Sequence, residues 1–224
     1  MKKLTILIAV MTAAMASLIG IGVGNADAAG QVPLGGGSGI LVLKGGNTAS
    51  ACTVTTVGRP TAGKHKGELI AVTAGHCGKP GQRVLSERYQ QRGQIGTFVY
   101  SGSDIDIAVI KLDASKVRAV RSVNGVTIRK IETRAPQFPT VLCKTGRTTG
   151  KTCGVNWTSI GDRHISQMCV VEGDSGSPVV VGDRLVGMVN AYYFLSCVGP
   201  ETGTSSKAIM TRLNKLGYGA FKPV

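Results

Sequence analysis

Most of the chain after residue 35 consists of short apolar runs separated by glycine-rich turns. The runs have the short length and β-prone composition of strands. The predicted strands are Ile40–Leu43, Cys52–Val57, Leu69–Thr73, Ile95–Tyr100, Ile107–Leu112, Val141–Cys143, Val155–Ile160, Val179–Val181 and Leu185–Asn190. Strands at this spacing, interrupted by 32 glycines and 8 prolines, are typical of β-sandwiches and β-barrels.

One segment near the C-terminus has a helical pattern instead. The apolar residues at positions i, i+4 and i+7 of this segment are Ile209, Leu213 and Leu216. Ser205 or Ser206 is positioned to cap its first turn, and Gly217 is positioned to end it. We expect a short helix that docks on the core.

The strand pattern is lost near residues 114–126. That segment is basic and contains the turn dipeptide Asn124-Gly125. It divides the chain into two β-rich parts, so we expect one domain over residues 29–122 and a second over residues 123–224. The glycine-rich run Gly35–Gly39 is expected to be a flexible tail.

The N-terminus has the pattern of an export signal. Lys2 and Lys3 precede an uncharged run, Leu4–Gly24, and the small-residue motif Ala26-Asp27-Ala28 follows. We therefore expect a signal peptide over residues 1–28, cleavage after Ala28 and a secreted product. The alternative is an uncleaved anchor that retains the protein in the cell envelope.

The chain is strongly basic, with a formal net charge of +14. This charge either solvates the surface of an exported protein or attracts it to an anionic envelope surface or an acidic substrate. A nucleic-acid partner is not expected, because no recognition motif accompanies the charge and only 4% of residues are aromatic.

The six cysteines all follow the predicted signal peptide. An even number of cysteines in an exported chain indicates disulfides, but the sequence alone leaves their pairing open. A metal centre is not expected, since no Cys-x-x-Cys occurs and the chain has only three histidines. No organic cofactor is expected either.

The richest chemical signal is Gly173-Asp174-Ser175-Gly176-Ser177-Pro178. Its glycines allow a sharp bend, and the amides of Gly173 and Ser175 are candidates for an oxyanion hole. Two partners precede it: His76 in Thr73–Cys77, and Asp106 directly before an apolar run. A serine hydroxyl needs an imidazole to take its proton, and the imidazole needs a carboxylate on its other nitrogen.

Each member of this predicted triad has an alternative interpretation. His76 beside Cys77 is also the pattern of a buried structural histidine, and Ser175 is also a common turn residue. Asp104 lies two positions before Asp106 and would face the same side of a strand. We favour Asp106, because the apolar run that follows places it at a strand edge, and interpret Asp104 as a loop acid.

These motifs together resemble the chymotrypsin-like serine endopeptidases. The resemblance rests on Thr73–Cys77, Asp106–Leu112 and Gly173–Pro178. The stretch Cys143–Gly154 is similar to the bacterial α-lytic protease and streptogrisin branch. The resemblance implies an all-β fold of two six-stranded antiparallel β-barrels with a short C-terminal helix. His76 and Asp106 would come from the first barrel and Ser175 from the second.

The resemblance also implies the pairing of the six cysteines and a structural role for Asp174. The implied disulfides are Cys52–Cys77, Cys143–Cys153 and Cys169–Cys197. Asp174 would hold the loop that carries Gly173 and Ser175, here called the oxyanion loop, through an ion pair with a cation. Either Lys144 or Arg147 is the candidate cation. Members of this branch carry a long pro-region, whereas roughly ten residues separate Ala28 from the first predicted strand. We therefore expect folding either unaided or with help in trans.

Several residues depart from the family pattern. Ser177 stands where a second glycine is usual, and its small size should be tolerated. Asn190, Ala191 and Tyr192 stand where the family has Ser-Gly-Gly along the substrate edge, and Tyr192 is expected to narrow the primary pocket. Gln167 and Met168 are expected near the pocket base. No acid appears there, so we expect a small or medium apolar residue at P1.

The sequence therefore predicts a secreted, monomeric serine endopeptidase that acts on proteins or peptides through an acyl-enzyme. The main alternative is a binding module with a protease fold and a blocked pocket, which docks through its basic face. An esterase of unrelated fold is disfavoured by the order of the triad and by the lack of strand–helix alternation.

Overall fold

Residues 30–224 are described by the computed structural model, and they form nineteen strands, one α-helix and two 3-10 turns. The strands of the first half are β1 (Val32–Leu34), β2 (Gly39–Gly45), β3 (Thr48–Thr53), β4 (Thr56–Pro60), β5 (Ile70–Ala74), β6 (Arg83–Ser86), β7 (Gln94–Gly102), β8 (Ile107–Leu112) and β9 (Val117–Ala119). The later strands are β10 (Ser122–Val123), β11 (Val126–Thr127), β12 (Lys130–Ile131), β13 (Val141–Gly146), β14 (Gly150–Ile160), β15 (Arg163–Ser166), β16 (Pro178–Val181), β17 (Arg184–Tyr192), β18 (Glu201–Ser205) and β19 (Phe221–Pro223). The helix is α1 (Ser206–Lys215), and the 3-10 turns are Gly75–Cys77 and Gln90–Arg92. The predicted signal peptide, residues 1–28, lies outside the described residues.

The first sheet contains eight strands in the order β19-β4-β5-β8-β7-β6-β2-β3. Only Val54 and Thr55 separate β3 from β4, so the two ends of the curled sheet meet at one bent strand. With β3 and β4 counted as one strand, β2 to β8 make a six-stranded antiparallel barrel.

The central strands of this barrel are buried on both faces, which explains their continuous apolar sequence. Ala71 of β5 and Ile110 of β8 pack inside the barrel. Ile70 of β5 and Val109 of β8 belong to a second cluster, which also includes Leu213 of the helix. The barrel is therefore filled on one side and covered by the helix on the other.

The second sheet is a closed barrel. Its order is β12-β17-β16-β13-β14-β15-β18, and an additional pairing between β17 and β18 closes six of these strands into a ring. Leu142, Val179 and Val189 are 0% exposed and fill its interior. This architecture confirms the predicted all-β fold class of two barrels with a short C-terminal helix.

The predicted C-terminal helix is present, with the expected residues at its two ends. The hydroxyl of Ser205 caps the helix by accepting from Ala208 N at 3.2 Å, and Gly217 follows its end with φ 86°. The prediction of a flexible tail at Gly35–Gly39 was wrong. Gly37 N donates to Val54 O at 2.8 Å, and a Cβ on Gly36 would meet Thr55 O and Ile128, so this run is packed where side chains do not fit.

Residues 31–224 form one compact unit, and the chain returns to the first sheet at its end, where β19 pairs with β4. The boundary between residues 122 and 123 stays a prediction. Within residues 30–224, no helix is long and apolar enough to cross a bilayer.

Candidate active site

His76 is positioned by a tight 3-10 turn directly after β5. A Cβ on the preceding Gly75 would overlap the carbonyl oxygen of Gly102, and the Ser101 hydroxyl donates to Gly75 O at 2.6 Å. The disulfide Cys52–Cys77 fixes the other end of the turn. The His76 side chain is 50% exposed, so its ring lies at the surface rather than in the core as a structural histidine would.

Asp106 lies immediately before β8 and faces this turn. Its Oδ1 accepts from His76 N at 2.8 Å, and its Oδ2 lies 2.8 Å from His76 Nδ1. Burial alone would raise the pKa of Asp106, but its hydrogen bonds with His76 and Asn190 outweigh burial and hold the pKa below its usual value. The carboxylate is therefore ionised and oriented at neutral pH.

Asp104, the competing acid, is held elsewhere. Its carboxylate forms a bidentate pair with Arg212, which lowers the pKa of Asp104 to about 2. Its side chain is 61% exposed, in agreement with its interpretation as a loop acid. The geometry thus brings Asp106, and not Asp104, to His76.

Ser175 comes from the second barrel and completes the chain of contacts. Its Oγ lies 2.8 Å from His76 Nε2. The loop that carries it is docked on the first barrel, since Thr53 N donates to Ser175 O at 2.8 Å. Gly176 has φ 85°, and a Cβ there would overlap Thr53 O, so only glycine fits beside the serine.

The candidate oxyanion donors lie in the same loop. Gly173 has φ 91°, and its carbonyl oxygen accepts from Thr53 Oγ1 at 2.9 Å. Among residues 30–224, neither Gly173 N nor Ser175 N donates to a protein acceptor. Both amides therefore remain available for a negatively charged oxygen.

Asp174 is the buried support of this loop, and the structure selects its cation. Lys144 Nζ lies 3.0 Å from Asp174 Oδ2, and both side chains are 0% exposed. Burial alone would raise the pKa of Asp174. The hydrogen bond from the Thr149 hydroxyl and the charge of Lys144 lower it by more than burial raises it, so the pKa lies below its usual value. Arg147 pairs with Glu87 instead, its Nε lying 2.8 Å from both carboxylate oxygens.

Asn190 contacts Asp106 through its side chain, and its backbone oxygen lies 3.5 Å from Ser175 Oγ. Its carboxamide nitrogen donates to Asp106 Oδ2 at 2.7 Å and to Asp106 O at 2.8 Å, and its oxygen accepts from Thr204 Oγ1 at 2.8 Å. Asn190 is thus a positioning group for Asp106, and its expected place along the substrate pocket stays a prediction. Nothing in the sequence indicated this contact with Asp106 beyond the position of Asn190 in the Asn-Ala-Tyr segment.

Met168, which the sequence places near the pocket base, is a buried residue, and its pocket role stays a prediction. It is 1% exposed and packs with Leu142 inside the second barrel. Gln167 spans the loop above, where Nε2 donates to Val198 O at 2.7 Å. Ala191 is exposed, and Tyr192 is half-buried against the barrel core.

Glu201 is a buried acid beside this region that the sequence analysis did not identify. It is the register partner of Tyr192 and is 0% exposed. One carboxylate oxygen accepts from Ser166 Oγ and lies 3.2 Å from His164 Nε2. Because Glu201 is fully buried, its carboxyl group is not presented at the surface.

The three disulfides are Cys52–Cys77, Cys143–Cys153 and Cys169–Cys197, the same pairs that the family resemblance implies. Cys143–Cys153 joins β13 to β14, and Cys169–Cys197 ties the segment before Ser175 to the loop after β17. The ligand atoms of Cys52, His76 and Cys77 lie within 4.8 Å of one another. Two of these atoms share a disulfide bond, so they offer no thiolate to a metal.

Comparisons with known proteins relate the chain to one family and one fold. A family model described as Trypsin matches residues 59–215. Serine protease 1 of Rarobacter faecitabidus is 31% identical over 166 residues, which cover 65% of this chain and 29% of that protein. The chain thus spans less than a third of the length of this curated relative.

Solved structures extend the likeness over most of the chain. Thermobifida fusca Protease A aligns with a TM-score of 0.66 and 20% identity, covering 86% of this chain and 99% of that one. The Nocardiopsis protease aligns with the same TM-score, identity and coverage. At this level of identity the likeness concerns the fold.

Proposed function

Because the chain belongs to the trypsin family, we propose that it is an exported serine endopeptidase that hydrolyses peptide bonds through an acyl-enzyme. The observation that carries this proposal is the continuous path from Asp106 through His76 to Ser175, with 2.8 Å at both contacts of the imidazole ring. A histidine with a purely structural role is usually enclosed in the core, whereas this half-exposed ring lies between a carboxylate that is 20% exposed and a hydroxyl.

In the proposed acylation, Ser175 Oγ attacks the scissile carbonyl carbon while His76 Nε2 takes the hydroxyl proton. Asp106 holds the other ring nitrogen and stabilises the imidazolium that forms. The amides of Gly173 and Ser175 donate to the oxyanion of the tetrahedral intermediate. Collapse of this intermediate breaks the C–N bond, and His76 returns the proton to the leaving amine.

Deacylation repeats these steps with water as the nucleophile. His76 takes a proton from the water, which attacks the ester carbonyl, and the collapse restores Ser175 and releases the carboxyl product. All groups in these steps belong to the chain, the substrate or the solvent. Asn190 and Lys144 act only by positioning Asp106 and Asp174.

We propose a small or medium apolar residue at P1. Tyr192 is half-buried in the segment expected along the substrate edge, and the carboxyl group of Glu201 is 0% exposed and so is not presented to a basic side chain. The loop after β17 exposes Phe194 at 93%, Leu195 at 65% and Val198 at 71%, which suits an apolar substrate. Tight cleavage after Lys or Arg in a peptide library would contradict this specificity.

Secretion is part of the proposal. The signal pattern in residues 1–28 and three disulfides both suit an oxidising, extracellular location. N-terminal sequencing of the protein from culture medium should begin after Ala28. Recovery of a full-length chain in the envelope fraction would favour the anchored alternative.

Labelling by a sulfonyl fluoride probe tests the catalytic proposal, because it requires an activated serine with a functioning oxyanion hole. The native protein should be labelled at Ser175, whereas the heat-unfolded protein and Ser175→Ala should not. Ser175→Ala should keep the fold and lose about 10⁴-fold or more in turnover. Ser103→Ala, at an exposed serine, is the matched control and should be unaffected.

The same experiment tests the alternative of a binding module. The nearly fully exposed Phe194 and the net charge of +14 favour a docking surface. A native protein that binds its partners but is never labelled at Ser175 would support this alternative over the endopeptidase.

A further inference from the structure

A cleft of about 510 Å³ lies outside the triad and has the size of a small-molecule site. Its walls come from the Gly37–Gly39 segment, the end of β6, the segment around β9 and β10, and Arg147. The glycine-rich run that resembled a tail is thus part of a wall. A Cβ on Gly39 would overlap the Glu87 carboxylate, so glycine is what lets that acid reach Arg147.

The side chains that line the cleft carry an excess of positive charge. Arg88, Arg118 and Arg147 line it, together with one acid, Glu87, which Arg147 already binds. Within residues 30–224, neither Arg88 nor Arg118 has an acidic partner at ion-pair distance. The Arg88 guanidinium lies 5.7 Å from the centroid of the Tyr89 ring. Two unneutralised guanidinium groups in one concavity attract an anion.

The rest of the lining suits an anion with a small organic body. Ser122 and Asn124 supply polar groups at one end, and Val120 and Val123 supply an apolar wall. A phosphoryl group has enough oxygens to bond two guanidinium groups at once, whereas a carboxylate matches the fork of one. The lining therefore favours a phosphate ester over a carboxylate.

The cleft also touches the loop that carries Ser175. Arg147 N donates to Thr53 Oγ1 at 3.1 Å, and that hydroxyl donates to Gly173 O at 2.9 Å. Arg147 Nη1 donates to Thr148 Oγ1 at 3.0 Å, and Thr148 donates to Glu172 O at 2.8 Å. Arg147 is therefore shared between the cleft and the backbone of the oxyanion loop.

From these contacts we propose that the cleft binds a small phosphate-bearing molecule, and that the bound phosphoryl group slows the reaction at Ser175 through Arg147. The anion competes with Glu87 for the Arg147 guanidinium and loosens its contacts to residues 172 and 173. The binding is independent of the proposed endopeptidase activity, and only the effect on Ser175 rests on that activity.

Calorimetric titration tests the binding, with phenyl phosphate, inorganic phosphate and benzoate as probes. Phenyl phosphate should bind saturably, and Arg88→Ala/Arg118→Ala should weaken it at least tenfold. Arg83→Ala/Arg163→Ala removes the same charge from exposed positions outside the cleft and should leave the affinity unchanged. Inorganic phosphate that matches phenyl phosphate would identify free phosphate as a sufficient ligand.

Three results would overturn the site: no saturable phosphate binding, equal losses in the two double variants, or benzoate binding as tightly as phenyl phosphate. The coupling is tested by the rate of sulfonyl fluoride labelling at Ser175. Saturating phenyl phosphate should slow it several-fold in the wild type and leave Arg88→Ala/Arg118→Ala unaffected. An unchanged wild-type rate rejects the coupling. A protein that is unlabelled even without ligand rejects the endopeptidase proposal, while the titration still decides the site.

Discussion

At the scale of single residues, the triad depends on hydrogen bonds made by groups outside it. Asp106 is fixed both by the backbone of His76 and by the carboxamide of Asn190. Asn190 is in turn oriented by Thr204, and its own side chain is only slightly exposed. The carboxylate therefore has one dominant orientation, in which it faces the imidazole.

Replacing Asn190 by Ala should lower kcat by about tenfold to 100-fold, because a hydrogen bond to a charged group contributes about 1.5–3 kcal/mol. Loss of this donor also raises the pKa of Asp106 toward its usual value. Steady-state kinetics across pH would measure both effects, with KM little changed.

Asp104→Asn is the matched control for Asn190→Ala. It alters the neighbouring acid, which contacts Arg212 and not His76, and should leave kcat unchanged. If Asp104→Asn lowered kcat as much as Asn190→Ala does, the assignment of Asn190 as a specific positioning group would be wrong.

At the scale of elements, disulfides brace the turns that carry the functional groups. Cys52–Cys77 ties β3 to the turn of His76, with a sequence separation of 25. Cys143–Cys153 joins the β13–β14 hairpin, with a separation of 10. The two bridges have similar chemistry, but only the first holds a triad residue.

Cys52→Ala/Cys77→Ala and Cys143→Ala/Cys153→Ala should each lower the free energy of unfolding by about 3 kcal/mol, as measured by urea denaturation. Only the first pair of substitutions should also slow sulfonyl fluoride labelling at Ser175, since it frees the turn of His76. Equal labelling rates in both variants would show that the turn is held by its backbone contacts alone.

Some elements of the fold could be predicted from the sequence and others could not. β5 and β8 were predicted because they are apolar and buried on both faces, and the helix was predicted from its cap and spacing. β18, Glu201–Ser205, was missed because it is fully buried without an apolar side chain, so hydropathy carries no signal there. The order of the triad was legible in the sequence, whereas the contact of Asn190 with Asp106 depends on the docking of the two barrels.

At the scale of the whole molecule, the site exists only where the barrels meet. Thr55 Oγ1 of the first barrel donates to Gly176 O at 2.7 Å, next to the corresponding contact of Thr53 with Ser175. Met188 of the second barrel packs in the same cluster as β5 and β8. Loss of global stability should therefore remove the geometry of the triad together with the fold.

This coupling leads to a prediction for acid. The pKa values of Asp106 and Asp174 are lowered in the folded state, so folding favours their ionised forms. Their contribution to stability is full above the ordinary value of 3.8 and is lost as pH falls through the lower folded-state pKa values. Urea midpoints should stay level between about pH 7 and 5 and then fall below about pH 4. The free energy of unfolding should fall there by up to about 1.4 kcal/mol per pH unit for each carboxyl.

Asp106→Asn should flatten this acid limb by the contribution of one carboxyl, because its amide does not titrate. Asp113→Asn, at an exposed acid that contacts Ser115, is the control and should change the limb far less, since solvent screens its interactions. A wild-type midpoint that stays level down to about pH 3 would contradict the linkage. So would Asp113→Asn flattening the limb while Asp106→Asn leaves it as steep as in the wild type.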